Sequence, residues 1–163
     1  MSTIDQLLQH ARTYARDFDQ GDLPMPPARR LAVVTCMDAR IDPAALLGLR
    51  EGDAHVIRNA GGLATADVIR SLAISQRMMG TTEVAVIHHT GCGMLTLSDP
   101  QLREQLEAET GVAPDWTVDH PGDLDEGVRT TVAELRASPF LPDTGGVRGF
   151  VYEVETGSLR EVR

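Results

Sequence analysis

No stretch of the 163-residue chain approaches the roughly 18 consecutive apolar residues that a bilayer-spanning helix needs, so no membrane partner is expected. The segment from Met1 to Gln20 is mixed and charged, without the apolar centre of a signal peptide, and a cytoplasmic location is the expectation. Basic residues are scarce as well. Fifteen Lys and Arg face 24 Asp and Glu, a formal charge of -9, whereas a nucleic-acid binder presents a cationic face. Cysteine is limited to Cys36 and Cys92, and the absence of a C-x-x-C pair speaks against a thiol redox protein. Two buried thiols or one disulfide are the plain readings of such a pair, and the reducing cytosol disfavours the disulfide.

What remains is ordinary for a globular protein: 42% apolar and 24% charged residues, in a length that suits one compact domain over residues 1–163. Residues 3–19 carry Ile4, Leu7, Leu8, Ala11, Tyr14 and Ala15 near helical spacing, with Thr3 as the expected N-cap. Gly21 to Pro27 is a proline-broken linker, so residues 1–27 read as a helical arm and connector. Such an arm is expected on a neighbouring surface, including that of another subunit, more than in its own core.

From Leu31 the pattern changes. Leu31–Thr35, Ala54–Ile57 and Val84–His88 are short apolar runs of the kind buried in a parallel sheet, separated by helical stretches at Pro43–Leu49 and Asp67–Met79. Further helices are expected over Pro100–Thr110 and Leu124–Ala137, then strands over Val147–Val154 and Leu159–Val162. The expected class is α/β, a mostly parallel central sheet flanked by helices, with the N-terminal arm outside it.

Cys36 and His89 each fall just past the end of an expected buried strand, where ligands bind in open α/β sheets. Cys92 follows His89 at H-x-x-C spacing, and Asp38 lies two residues beyond Cys36. Two thiolates and an imidazole with a carboxylate nearby match zinc in softness and number. Spacing alone leaves two uses open: a catalytic zinc with three protein ligands, or a structural zinc that also takes Asp38.

Cys36-Met37-Asp38-Ala39-Arg40 resembles the C-x-D-[SA]-R motif of β-class carbonic anhydrases, and His89-Thr90-Gly91-Cys92-Gly93 resembles their H-x-x-C-G motif. Arg58-Asn59-Ala60-Gly61-Gly62 is similar to the R-N-A-G segment between them. The likeness runs from about Leu31 to Gly93, and the arm and the Arg148–Val154 segment resemble the compact, mycobacterial-type bacterial branch. This resemblance implies one zinc per subunit on Cys36, His89 and Cys92, an Asp38–Arg40 dyad, and reversible hydration of carbon dioxide to bicarbonate and a proton by zinc-bound hydroxide. Asp38 would be a fourth ligand in a closed state. The resemblance also implies a homodimer or homotetramer with the arm wrapped on its partner. Carbonyl sulfide or carbon disulfide hydrolysis, or a catalytically silent bicarbonate sensor, are the alternatives it leaves.

Ala60, Gly61 and Gly62 are expected to line a small pocket for a linear triatomic substrate, although Gly62 also suits an ordinary turn. Two positions depart from the family pattern. Gly91 stands where Asp is frequent in this branch, with a local difference expected beside the ligands. Pro26 to Arg30 contains no counterpart of the substrate-contacting glutamine of the plant enzymes. His88 is expected as a packed neighbour and Asp67 as a helix-start carboxylate. Nothing in the pattern selects among His10, His55 and His120 as a proton shuttle.

Overall fold

Five strands form one sheet in the order β2-β1-β3-β4-β5 in the computed structural model of the chain, which describes residues 2–118 and 122–163. They are β1 (Leu31–Cys36), β2 (Ala54–Asn59), β3 (Glu83–His89), β4 (Val147–Tyr152) and β5 (Leu159–Val162). The first four run parallel and β5 returns antiparallel to β4, which is the mostly parallel sheet expected of the sequence. β1 and β3 are central, and their runs of Val, Ile and Ala are buried almost throughout. A parallel sheet covered by helices demands such strands.

The helices are α1 (Thr3–Asp17), α2 (Pro43–Leu47), α3 (Ala66–Met79), α4 (Asp99–Thr110) and α5 (Leu124–Ala137). Val68 and Leu72 of α3 and Val128, Val132 and Leu135 of α5 pack with Val34, Val86 and Val151 of the sheet in one apolar cluster. α1 buries none of its residues. Its cap is Ser2, one residue before the expected Thr3: the Ser2 hydroxyl accepts from the Asp5 N–H at 3.2 Å, and Asp5 answers with 2.8 Å to the Ser2 N–H. That reciprocal pair satisfies two otherwise orphaned donors.

The other boundaries shift by a few residues for local reasons. α2 stops at Leu47 because Gly48 takes φ 62° and its N–H turns back on Ala44 and Ala45. α3 begins under Thr65, whose hydroxyl caps the Val68 N–H, so Asp67 lies in the first turn and pairs with Arg70. β2 runs on through Arg58 and Asn59, which align with Thr35 and Cys36 of β1. Cys36 and His89 are thus the last residues of two adjacent parallel strands, at the carboxyl edge of the sheet.

Candidate metal centre

Cys36 and His89 are delivered by the sheet, and Cys92 by the turn that follows β3. The chain leaves β1 under restraint: Met37 N–H donates to Asn59 O at 2.8 Å, and Arg58 straddles the next carbonyls, Nε to Cys36 O at 3.0 Å and Nη2 to Asp38 O at 2.7 Å. Past His89 the backbone turns through Gly91 at φ 62°, a left-handed conformation that glycine adopts without strain. The two sulfurs come to 3.9 Å, and one donor atom from each of Cys36, His89 and Cys92 lies within 4.8 Å of the others. All three residues are buried, His89 completely.

Asp38 lies at the rim of this triangle, its Oδ2 3.8 Å from His89 Nε2. Arg40 holds it away, donating Nε to Oδ1 at 2.9 Å and Nη2 to Oδ2 at 2.6 Å, while the Arg40 N–H reaches Oδ1 at 2.9 Å. These contacts keep the carboxyl far below the usual carboxylate range. The guanidinium also donates to Gly91 O at 2.9 Å, tying the loop after β1 to the turn after β3.

The donor set fits a metal ion. His89 Nδ1 lies 3.0 Å from Thr90 O, which only accepts, so the proton belongs on Nδ1 and Nε2 presents a lone pair. That Nε2 is buried with no hydrogen-bond partner, an arrangement that costs free energy unless a cation takes the lone pair. Burial raises the Cys36 thiol, but in the metal-free site a proton taken up on His89 Nε2, with the N–H groups of Asp38 and Gly61, outweighs it and brings the pKa down to about 7. Cys92 is pushed up instead, by burial first and then by Cys36 beside it, against a hydrogen bond from Met94 N–H. One thiolate thus forms readily and the second resists its neighbour's charge. A divalent cation between them removes that resistance.

Residues 31–120 match the carbonic anhydrase family profile. "Beta-carbonic anhydrase 1" of Mycobacterium tuberculosis is 48% identical over 162 residues, covering 99% of each chain. The chain belongs to the β-carbonic anhydrase family. As a β-carbonic anhydrase it is an enzyme, and the likeness includes the arm as well as the sheet. The crystal structure of carbonic anhydrase from Streptococcus mutans superposes with a TM-score of 0.92 at 42% identity, over 100% of this chain and 99% of that one. A "Carbon disulfide hydrolase" of Acidithiobacillus thiooxidans is 35% identical, with 98% of this chain and 90% of that protein covered.

Within this β-carbonic anhydrase the glycine turn does something more specific than line a pocket. Ala60–Gly62 is a short 3-10 turn in which Gly61 has φ 88° and lends its N–H to Cys36 sulfur. Gly62, at φ 72°, lies on the backbone of β1, where a Cβ would fall 3.0 Å from Cys36 N. The turn is therefore a wedge behind the first cysteine. His88 supports it from the far side, Nε2 to Gly62 O at 3.2 Å, with Thr131 Oγ1 at 3.4 Å, as a packed neighbour would.

The sequence assigns no role to Arg58, whereas His88 is the packed neighbour it was expected to be. The R-N-A-G segment did flag Arg58, but only as a family marker. His55 bonds Ser75 Oγ at 2.7 Å and His10 lies on the exposed arm, neither reaching the triangle; His120 lies outside the described residues.

Proposed function

We propose that the protein catalyses the reversible hydration of carbon dioxide to bicarbonate and a proton, with one zinc per subunit held by Cys36, His89 and Cys92. The observation that carries this is the bare, buried His89 Nε2 facing two sulfurs 3.9 Å apart, in a chain related over its whole length to carbonic anhydrases. Zinc bound there would supply the Lewis acidity that makes hydroxide available near neutral pH.

The chain's own groups set the conditions. Two thiolates bring two negative charges, where three histidines would bring none, and Arg40 returns one positive charge at the rim. N–H donors from Asp38, Gly61 and Met94 spread the sulfur charge further. Asp38, ionised and aimed by Arg40, accepts a hydrogen bond from the attacking water and orients it. Purified protein with zinc measured at one per subunit is expected to hydrate carbon dioxide in stopped flow and to lose the activity to a chelator. Stoichiometric zinc without hydration would instead leave the silent bicarbonate-sensing protein.

A second substrate is kept in view by the carbon disulfide hydrolase likeness. Turnover of carbonyl sulfide and carbon disulfide, measured beside that of carbon dioxide on one preparation, separates the two enzymes. The cytoplasm suits either one, because two thiols this close must remain unoxidised to hold a metal.

The subunits form a homodimer, with a homotetramer as its doubled form. Ile4, Leu7, Leu8, Tyr14 and Phe18 of the arm region are all exposed. So are Ile74, Met78 and Phe140, which line an apolar groove along α3 with Arg70 and Arg77 at its rim. An amphipathic helix and an apolar groove left bare in one chain satisfy each other between two copies.

A further inference from the structure

The turn that carries Cys92 is fastened at its first residue to a distant part of the chain. Thr90 N–H donates to Tyr152 O at 3.0 Å, one step beyond the pairing of His89 with Tyr152 between β3 and β4. The Thr90 hydroxyl accepts the Val154 N–H at 3.0 Å, across 64 residues of sequence. Val154 stands in the turn between β4 and β5. That turn closes on itself through Glu153 N–H to Ser158 O at 2.9 Å and Gly157 N–H to Glu153 O at 2.8 Å. The third polar group of Thr90 is its carbonyl, and this is the oxygen 3.0 Å from His89 Nδ1.

Three contacts thus meet in one half-buried residue. The N–H and the hydroxyl are both held by backbone groups at the end of β4, and a β-branched side chain has few χ1 rotamers to spare. Together they leave the carbonyl aimed back at the imidazole. Without the hydroxyl only the N–H tie remains, and the peptide that joins Thr90 to Gly91 gains freedom to turn, because the residue after it is a glycine in the left-handed region. A ligating histidine depends on the partner of its other ring nitrogen for its tautomer and its direction.

We propose that Thr90 is a positioning residue for the metal centre: its hydroxyl clasps the β4–β5 turn so that its carbonyl holds the His89 ring with Nε2 turned toward the two sulfurs. This rests on the reading of Cys36, His89 and Cys92 as metal ligands. The β4–β5 turn is thereby part of the site, although it supplies no donor to the triangle.

The test sets Thr90→Val against Thr90→Ser in the full-length protein. Valine keeps the branched shape and removes the acceptor; serine keeps the acceptor and removes the methyl. Zinc affinity is read by competition with a chromophoric chelator, and the urea midpoint of the metal-free, reduced protein is read beside it. T90V is expected to bind zinc about tenfold more weakly than wild type, and T90S within about threefold of wild type. In the zinc-loaded protein the His89 Nδ1 proton, followed by NMR, is expected to exchange with water about tenfold faster in T90V and at the wild-type rate in T90S. A lower urea midpoint in T90V with zinc affinity unchanged would make the hydroxyl a structural tie only. Equal weakening in T90V and T90S would assign the effect to packing of the side chain. Either result overturns the proposal.

Should T90V not fold, Thr90→Ala against T90S repeats the comparison. Wild-type protein and T90V that bind zinc equally tightly would end this proposal and leave the metal reading intact. A wild-type protein that takes up no zinc would end both.

Discussion

Arg40 and Arg58 do different work on the same loop after β1. Arg40 grips the Asp38 side chain through Nε and Nη2, and Arg58 grips the backbone carbonyls of Cys36 and Asp38. Removing Arg40 frees Asp38 to lie across the donor triangle and takes away the positive charge facing two thiolates. Arg40→Ala is expected to lower kcat/KM for carbon dioxide roughly a hundredfold, the scale of losing one preorganised charge partner; unchanged turnover in stopped flow would remove Arg40 from the mechanism. Arg58→Lys keeps the charge but not the fork, and an ammonium cannot span two carbonyls in fixed geometry. A loss of about tenfold in metal affinity, read by competition with a chromophoric chelator, is expected of it. The grouping of Cys36, His89 and Cys92 was legible in the sequence because they sit in motifs at or just beyond strand ends. Arg58 was not, since its contacts are to carbonyls and no side-chain pattern announces them. Gly62 was half legible: a turn glycine was evident, and its approach to the Cys36 backbone needed coordinates.

Strands and helices were read with uneven success, and the reason is what each end is made of. β1 and β3 each hold an unbroken apolar run at their centre, so periodicity finds them. β2 ends in Arg58 and Asn59, polar residues that pair with β1 while their side chains serve the neighbouring loops, and the reading stopped short at Ile57. α1 is the reverse case, a helix plainly written whose destination is not. Its 15 residues bury nothing in their own chain, and an isolated helix of that length is marginal in water. Tyr14 is held by Glu51, a single exposed contact. In the proposed homodimer the surface that orders this helix is the α3 groove of a second copy. If the proposed homodimer forms in this way, the full chain is a dimer in light scattering and deletion of residues 2–18 is expected to leave a monomer, while the sheet keeps its circular dichroism. A truncated protein that remains dimeric would place the interface elsewhere.

The molecule as a whole carries a formal charge of -9, yet several of its carboxylates are tied to arginines in pairs that answer to acid in one direction. Asp38 is held below its ordinary range by Arg40, Asp125 by Arg160, Glu161 by Arg148, and Asp53 by the Arg50 N–H and then Arg29. Each has a lower pKa folded than unfolded, so each stabilises the fold above the unfolded values of about 3.9 for Asp and 4.3 for Glu. That contribution fades as pH falls through the folded values. Metal-free protein kept reduced is thus expected to hold a steady urea midpoint from about pH 7 to about pH 5 and to lose it below about pH 4. A metal on the proposed ligands would add a second dependence at higher pH. Protons compete with it for His89 and both sulfurs, and in the metal-free protein Cys36 titrates at about 7. Cys92, pushed up by burial and by Cys36, surrenders its proton only to the metal or to stronger base. The stabilisation that zinc adds, taken as the difference in urea midpoint between loaded and metal-free protein, is therefore expected to shrink steadily as pH falls from about 8 to about 5. The metal-free baseline is flat over most of that interval, so the slope belongs to the ligands. A difference that stayed constant down to about pH 5 would mean that the two cysteines and His89 do not hold the ion.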